Sequence, residues 1–167
     1  METICPAPKW VVIASGLSML HIDMRQVQEA ANLGWRVLTI NNAWKLAPRA
    51  HVHYAADLCW WDTYHAECRA AGLRWTADPH AAARYGLRRI TCRSGTGLCR
   101  TPGQVYSGGN SGYQAINLAY HFGMRHGILL GFDMHRQEGE PGHFDGEHPD
   151  PMISAPANQI AAWRAQF

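Results

Sequence analysis

Charge is scarce in this sequence. Acidic and basic residues make up 17% of it and nearly cancel, leaving a formal net charge of +2. A balance that small does not argue for a nucleic-acid or membrane surface. No apolar run approaches the roughly 20 residues that cross a bilayer. The five cysteines (Cys5, Cys59, Cys68, Cys92 and Cys99) are odd in number and contain no Cys-x-x-Cys pair. This argues against a disulfide framework or a zinc ribbon, and for ordinary thiols in a reducing compartment. The dinucleotide signature Gly-x-Gly-x-x-Gly is missing where a first strand meets a first helix, as is the Gly-Lys-Ser/Thr of a phosphate loop. Residues 1–20 lack a basic segment, and Ser15-Gly16 interrupts their apolar part. They read as a strand and turn rather than a secretory signal, and the expected location is cytoplasmic.

What is present is a globular composition, 47% hydrophobic over 167 residues, sufficient for one domain with one core. Apolar runs alternate with helical patterns. Strands are expected at 10–14, 35–40, 52–55, 73–76, 87–92 and 128–131. Helices are expected from the turn at 15–18 to about 32, over 58–71 with Asp57 as N-cap, over 81–85, over 111–122 and over about 155–165. Gly34 and Gly72 stand where the first two would end. Neither repeat nor linker divides the chain, so 1–167 reads as a single domain. The fold class expected is α/β, a Rossmann-like three-layer sandwich with a mainly parallel sheet of about five to six strands. In such sheets ligands bind beyond the carboxyl ends of the strands. The segments with unusual polar chemistry fall in the loops that would meet there.

Ser15-Gly16-Leu17-Ser18 follows the first strand. It is either a tight turn with Ser18 as cap, or an anion site at a helix start. Asn41-Asn42 ends the second strand and suits either a turn or the edge of a base or ribose. Gly108-Gly109-Asn110-Ser111-Gly112 precedes the helix at 111–122. A cap needs one such residue rather than five, which points to exposed backbone N–H groups and a phosphate. The glycine-rich stretch 93–110 is long enough to be functional or mobile. Asp133, His135, His143, Asp145, Glu147 and His148 crowd one loop and offer general bases, with no zinc-protease spacing among them. Trp60-Trp61 and Tyr64 are either a sugar or base platform or packing against the sheet. An exposed share of the seven tryptophans would mark a subunit interface.

The segments "VVIASGLSM", "VLTINNAWKLAPRAHVHYAADLCWWD", "GGNSGYQAINLAYHFGMRHGILLGFDM" and "GHFDGEHP" resemble a family of small phage and prophage proteins. More distantly they resemble bacterial lipooligosaccharide sialyltransferases and the group of flagellin glycosyltransferases and pterin pyrophosphokinases. The resemblance implies that 14–18 stands in place of the Gly-Asn-Gly-Pro-Ser turn that holds the nucleotide. It implies that Asn41 and Ser111-Gly112 contact the donor, and that Gly131-Phe132-Asp133 closes the corresponding strand. His135 would fall at a phosphate-binding position, and His148 or His143 would be the base.

Three readings follow. The first is a nucleotide-sugar-dependent glycosyltransferase needing no metal, since no Asp-x-Asp motif occurs. Ser15, Gly16, Ser18, Ser111 and Gly112 would hold phosphate, Asn41 and Asn42 the ribose or base, and Asp145 or Glu147 would orient the His148 base. Asn110, Asp133 and His135 complete the nucleotide site. The second is a divalent-metal phosphotransferase or phosphohydrolase using Asp133, Asp145 and Glu147 as ligands. The third is a non-catalytic nucleotide-binding protein.

Overall fold

In the computed structural model, residues 9–135, 139, 141–150, 152 and 155–165 are described. Cys5 lies outside them. Six strands form one sheet in the order β5-β4-β3-β2-β1-β8, every pair parallel. They are β1 (Lys9–Ile13), β2 (Arg36–Ile40), β3 (Val52–Tyr54), β4 (Leu73–Thr76), β5 (Arg88–Arg89) and β8 (His126–Leu130). A second, two-stranded parallel sheet pairs β6 (Thr91–Arg93) with β7 (Gln104–Tyr106). The helices are α1 (Met24–Asn32), α2 (Leu58–Tyr64), α3 (Pro79–Tyr85), α4 (Ser111–His121) and α5 (Ala157–Arg164).

Strand alternation sorts the core into two layers. Trp10, Val12, Leu38, Ile40, Val52 and Tyr54 pack against Ala115, Leu118, Ala119 and Phe122 of α4. On the opposite face Val11, Ile13 and Val37 pack against Val27 of α1. His53 points the same way as these, its ring centroid 5.2 Å from Trp60 and 5.6 Å from Trp61 of α2. Helices on both faces of a parallel sheet make the three-layer α/β arrangement expected from the alternation. Among the described residues no helix is long and apolar enough to cross a membrane.

Several expected boundaries move, each for a local reason. The segment after β1 is not one helix from the turn to residue 32. A 3-10 helix, Leu17–His21, comes first, and α1 starts afresh where the Asp23 carboxylate accepts from the Arg25 N–H at 3.0 Å. Helix α2 ends at Tyr64 rather than near 71. The run at 87–92 is divided between β5 and β6, because Ile90 turns its side chain into the core between them. The glycine-rich stretch contains β7 and is tied down by α4. Buried Asn117 accepts from the N–H groups of Cys99 (2.9 Å) and Tyr106 (3.1 Å) and donates to the Cys99 carbonyl at 3.0 Å. Most of the tryptophans are not surface residues. Trp10, Trp44, Trp60, Trp61 and Trp75 are buried, and Trp35 lies under the Lys9 ammonium. The Trp60-Trp61 pair and Tyr64 are core packing rather than a platform. Cys59, Cys68, Cys92 and Cys99 are free thiols.

His53 is fully buried, with Thr39 Oγ1 3.1 Å from its Nδ1 and no partner for Nε2. Desolvation, reinforced by the Arg74 charge, pushes its pKa down from 6.5 to about 3. The folded state therefore holds a neutral ring that the unfolded chain would protonate. This contribution is complete above pH 6.5 and is lost as pH falls toward 3, with a slope on the order of 1.4 kcal/mol per pH unit at most. Denaturant titrations between pH 7 and pH 4 should show that decline. In the Thr39→Val/His53→Phe double variant, which leaves no orphaned hydroxyl, the slope should fall by close to one proton.

Candidate functional site

The sheet reverses its winding at β1, whose neighbours β2 and β8 come from opposite ends of the chain. That is the place where an open α/β sheet leaves a crevice beyond its carboxyl ends. A cavity of about 440 Å³ lies there, within the range of small-ligand sites. It is lined by 14–17 after β1, Ile40 and Asn41 after β2, Asp57 after β3 and 131–135 after β8. Residues 109–112 bring in the start of α4, and Gly142, His143 and His148 come from the histidine loop. Another cleft, of about 420 Å³, lies beside α1 and the segment 46–51 at the amino ends of β2 and β3. It collects none of the predicted residues.

Of those residues, Ser15, Gly16, Asn41, Asn110, Ser111, Gly112, Asp133, His135, His143 and His148 all reach the cavity. Ser18, Asn42 and Asp145 do not, and each has a structural task instead. The Ser18 N–H donates to Asp133 Oδ2 at 2.8 Å and its hydroxyl donates to Oδ1, so this pair ties the 3-10 helix to the end of β8. Asn42 is 3% exposed; its amide donates to Asp145 Oδ2 at 2.8 Å and its carbonyl accepts from Trp60 Nε1 at 3.0 Å. Lys45 Nζ lies 2.7 Å from the same Asp145 oxygen. The Asp145 carboxylate thus pins the histidine loop to the segment after β2. It orients that loop as a whole rather than one imidazole. Glu147 accepts from the Gly142 N–H at 2.9 Å.

At the start of α4 the Asn110 side chain caps the helix, accepting from the Tyr113 N–H at 2.8 Å. The N–H groups of Ser111 and Gly112 take no partner among the described residues. They carry the positive end of the helix dipole into the cavity. Asn41 adopts a left-handed backbone, φ 48°, which asparagine tolerates better than most residues and which turns it onto the rim.

Two histidines share the far loop. Ser15 Oγ lies 3.0 Å from His143 Nδ1, and the Phe144 N–H donates to the Ser15 carbonyl at 3.0 Å. The His143 and His148 rings are 4.4 Å apart, tilted by 49°. The His148 ring makes no hydrogen bond to any described residue. Burial pushes the His148 pKa below the ordinary value of 6.5. The His143 ring adds to this, and Asp145 and Glu147 partly offset it. A neutral, unengaged imidazole in a cavity is suited to take a proton. Among the described residues no three His, Cys, Asp or Glu side chains come together as a metal set.

The cavity also has a wall that sequence patterns did not assign to it. Gln159, Ile160 and Trp163 of α5, with Ala155 and Pro156, line it, and α5 buries no residue of its own. Its weak periodicity, with polar Gln159 beside Ile160, was the available sign that it does not sit on the sheet. Gly109, at φ 73°, leaves room for the Trp163 indole: a Cβ there would stand 2.7 Å from Nε1. Asp57, expected as a helix cap at the end of the rim loop 55–57, makes no side-chain cap bond and lines the cavity.

Compared with known proteins, the chain matches no family model and no curated protein.

Gly16 sets the closest approach in the site. Its N–H donates to the Gly131 carbonyl at 3.0 Å. A Cβ on it would come within 2.5 Å of Asp133 Oδ2 and 2.6 Å of the Gly131 oxygen. Gly16→Ala should therefore break the Ser18–Asp133 clamp and destabilise the protein by about 1–3 kcal/mol in denaturant titrations. Ser18→Ala, which removes one hydroxyl at an exposed position, should have the smaller effect.

Proposed function

We propose that this chain is a nucleotide-sugar-dependent glycosyltransferase-like enzyme that works without a metal ion and uses His148 as its base. One observation carries the reading: the unpartnered N–H groups that start α4 and a neutral, unengaged histidine line the same cavity. The resemblance to bacterial sialyltransferases points the same way.

In this mechanism the donor phosphate sits at the Ser111 and Gly112 N–H groups, beside the loop 14–17. Asn41 contacts the nucleoside. His148 takes the proton from an acceptor hydroxyl as that oxygen forms its bond to the anomeric carbon. The bond from the anomeric carbon to the phosphate oxygen breaks, and its electron pair leaves with the phosphate. The helix-start N–H groups stabilise that charge. His143, held by Ser15, packs against His148 and opposes its protonation.

Calorimetric titration with CMP-, UDP-, GDP- and ADP-sugars at millimolar concentration should give heat with at least one; silence with all removes this reading. With the donor that binds, turnover should survive EDTA. His148→Gln should lower kcat by 10²–10⁴ while shifting affinity only a few-fold. The acid limb of kcat/KM should lie below pH 6.5, because the lowered pKa keeps His148 in its base form down to more acidic pH. Binding without turnover would identify a nucleotide-capturing protein instead, and turnover abolished by EDTA a metal-dependent phosphotransferase.

A further inference from the structure

Asp57 is the cavity residue for which neither the cap of α2 nor the mechanism above has a use. It follows β3, and its carboxylate takes no hydrogen bond and no ion pair from any described residue. Part of it is open to solvent and part lies against the protein, where it lines the cavity. The protein around it disfavours its bare charge: burial raises its pKa above the ordinary value, and Asp78 adds to the rise. A carboxylate in this setting gains from any donor that a ligand brings.

Its place on the rim narrows what that donor is. Asp57 follows β3, which is two strands from β1 along the sheet. The helix-start N–H groups lie on the β8 side, where a Cβ on Gly112 would meet the Phe132 ring at 2.9 Å. The cavity therefore holds both a pole that favours an anion and an acceptor that repels one. A ligand that meets both brings phosphate to the first and hydrogen-bond donors to the second.

Resting on the glycosyltransferase reading, we propose that Asp57 is a specificity residue that accepts hydrogen bonds from vicinal hydroxyls of the ligand. The two carboxylate oxygens match two adjacent hydroxyls, whether these belong to the ribose or to the transferred sugar. The contact selects a hydroxylated nucleotide over its deoxygenated analogue.

Calorimetric titration of the wild-type protein and Asp57→Asn tests this. Asparagine is an equally good residue at a helix start, so the fold should persist, and matching thermal melts will show that it does. The ribose arm compares CMP, UMP, GMP and AMP with their 2′,3′-dideoxy counterparts. The sugar arm compares each nucleotide with its nucleotide-sugar. Wild type should prefer the hydroxylated member of one comparison by about 10-fold or more, as expected for hydrogen bonds to a charged acceptor. Asp57→Asn should reduce that preference most of the way to unity, and the arm that responds names the source of the hydroxyls. If nucleotides bind and the variant leaves both ratios unchanged, this inference is overturned while the nucleotide reading stands. If wild type binds none of these ligands, the nucleotide reading fails and takes the role of Asp57 with it.

Discussion

Strand β1 has to accept partners on both edges, and everything about the site follows from where those partners come from. The chain winds from β1 outward through β2, β3 and β4 to β5, laying α1, α2 and α3 on one face. It then crosses to the other face with α4 and re-enters beside β1 as β8. The connections leaving β1 and β8 therefore diverge at the carboxyl rim and open a crevice between them. The backbone bonds from the Ala14 N–H to the Leu130 carbonyl, at 2.8 Å, and from the Gly16 N–H to the Gly131 carbonyl, at 3.0 Å, are the rungs that hold the two chains together at the rim.

Polar residues then divide into two trades. Some hold loops: Asp133 on Ser18, Asp145 on Asn42 and Lys45, and Asn117 on the backbone of 99–106. Others are left with unmet hydrogen-bonding capacity and face the cavity: the first N–H groups of α4, His148 and Asp57. The second group depends on the first. An imidazole on a loop held by two bonds to one carboxylate keeps its position, and a position held in advance is what proton transfer requires. Buried donors and acceptors elsewhere are almost all satisfied; the exceptions among the described side chains are Arg36, Trp44, His53 and Trp75.

The strands were legible because runs such as 35–40 and 128–131 carry a local apolar signal, though β8 begins two residues earlier, at His126, and ends at Leu130. The convergence of polar loops was legible too, since parallel topology forces carboxyl-end loops onto one rim. Strand β7 was hidden because its stability comes from Asn117, eleven residues or more away in sequence. Ser18 and Asn42 lie off the cavity lining, and the reason is related. A serine or asparagine at a strand end has the same local appearance whether it meets a ligand or a neighbouring carboxylate. Only the partner, Asp133 or Asp145, more than a hundred residues on, decides between them. Asp57 had the reverse problem: a helix-start position supplied a sufficient local explanation, and the missing cap bond is visible only in space.

Helix α5 touches the rest of the protein mainly through the cavity it covers, and it buries none of its side chains. With no buried side chain to hold it, α5 should open at a smaller free energy than the sheet, and its amides should exchange sooner than those of the central strands. Any occupant of the rim cavity would cover side chains of α5 that the free protein leaves open, so binding should slow exchange of the helix's amides.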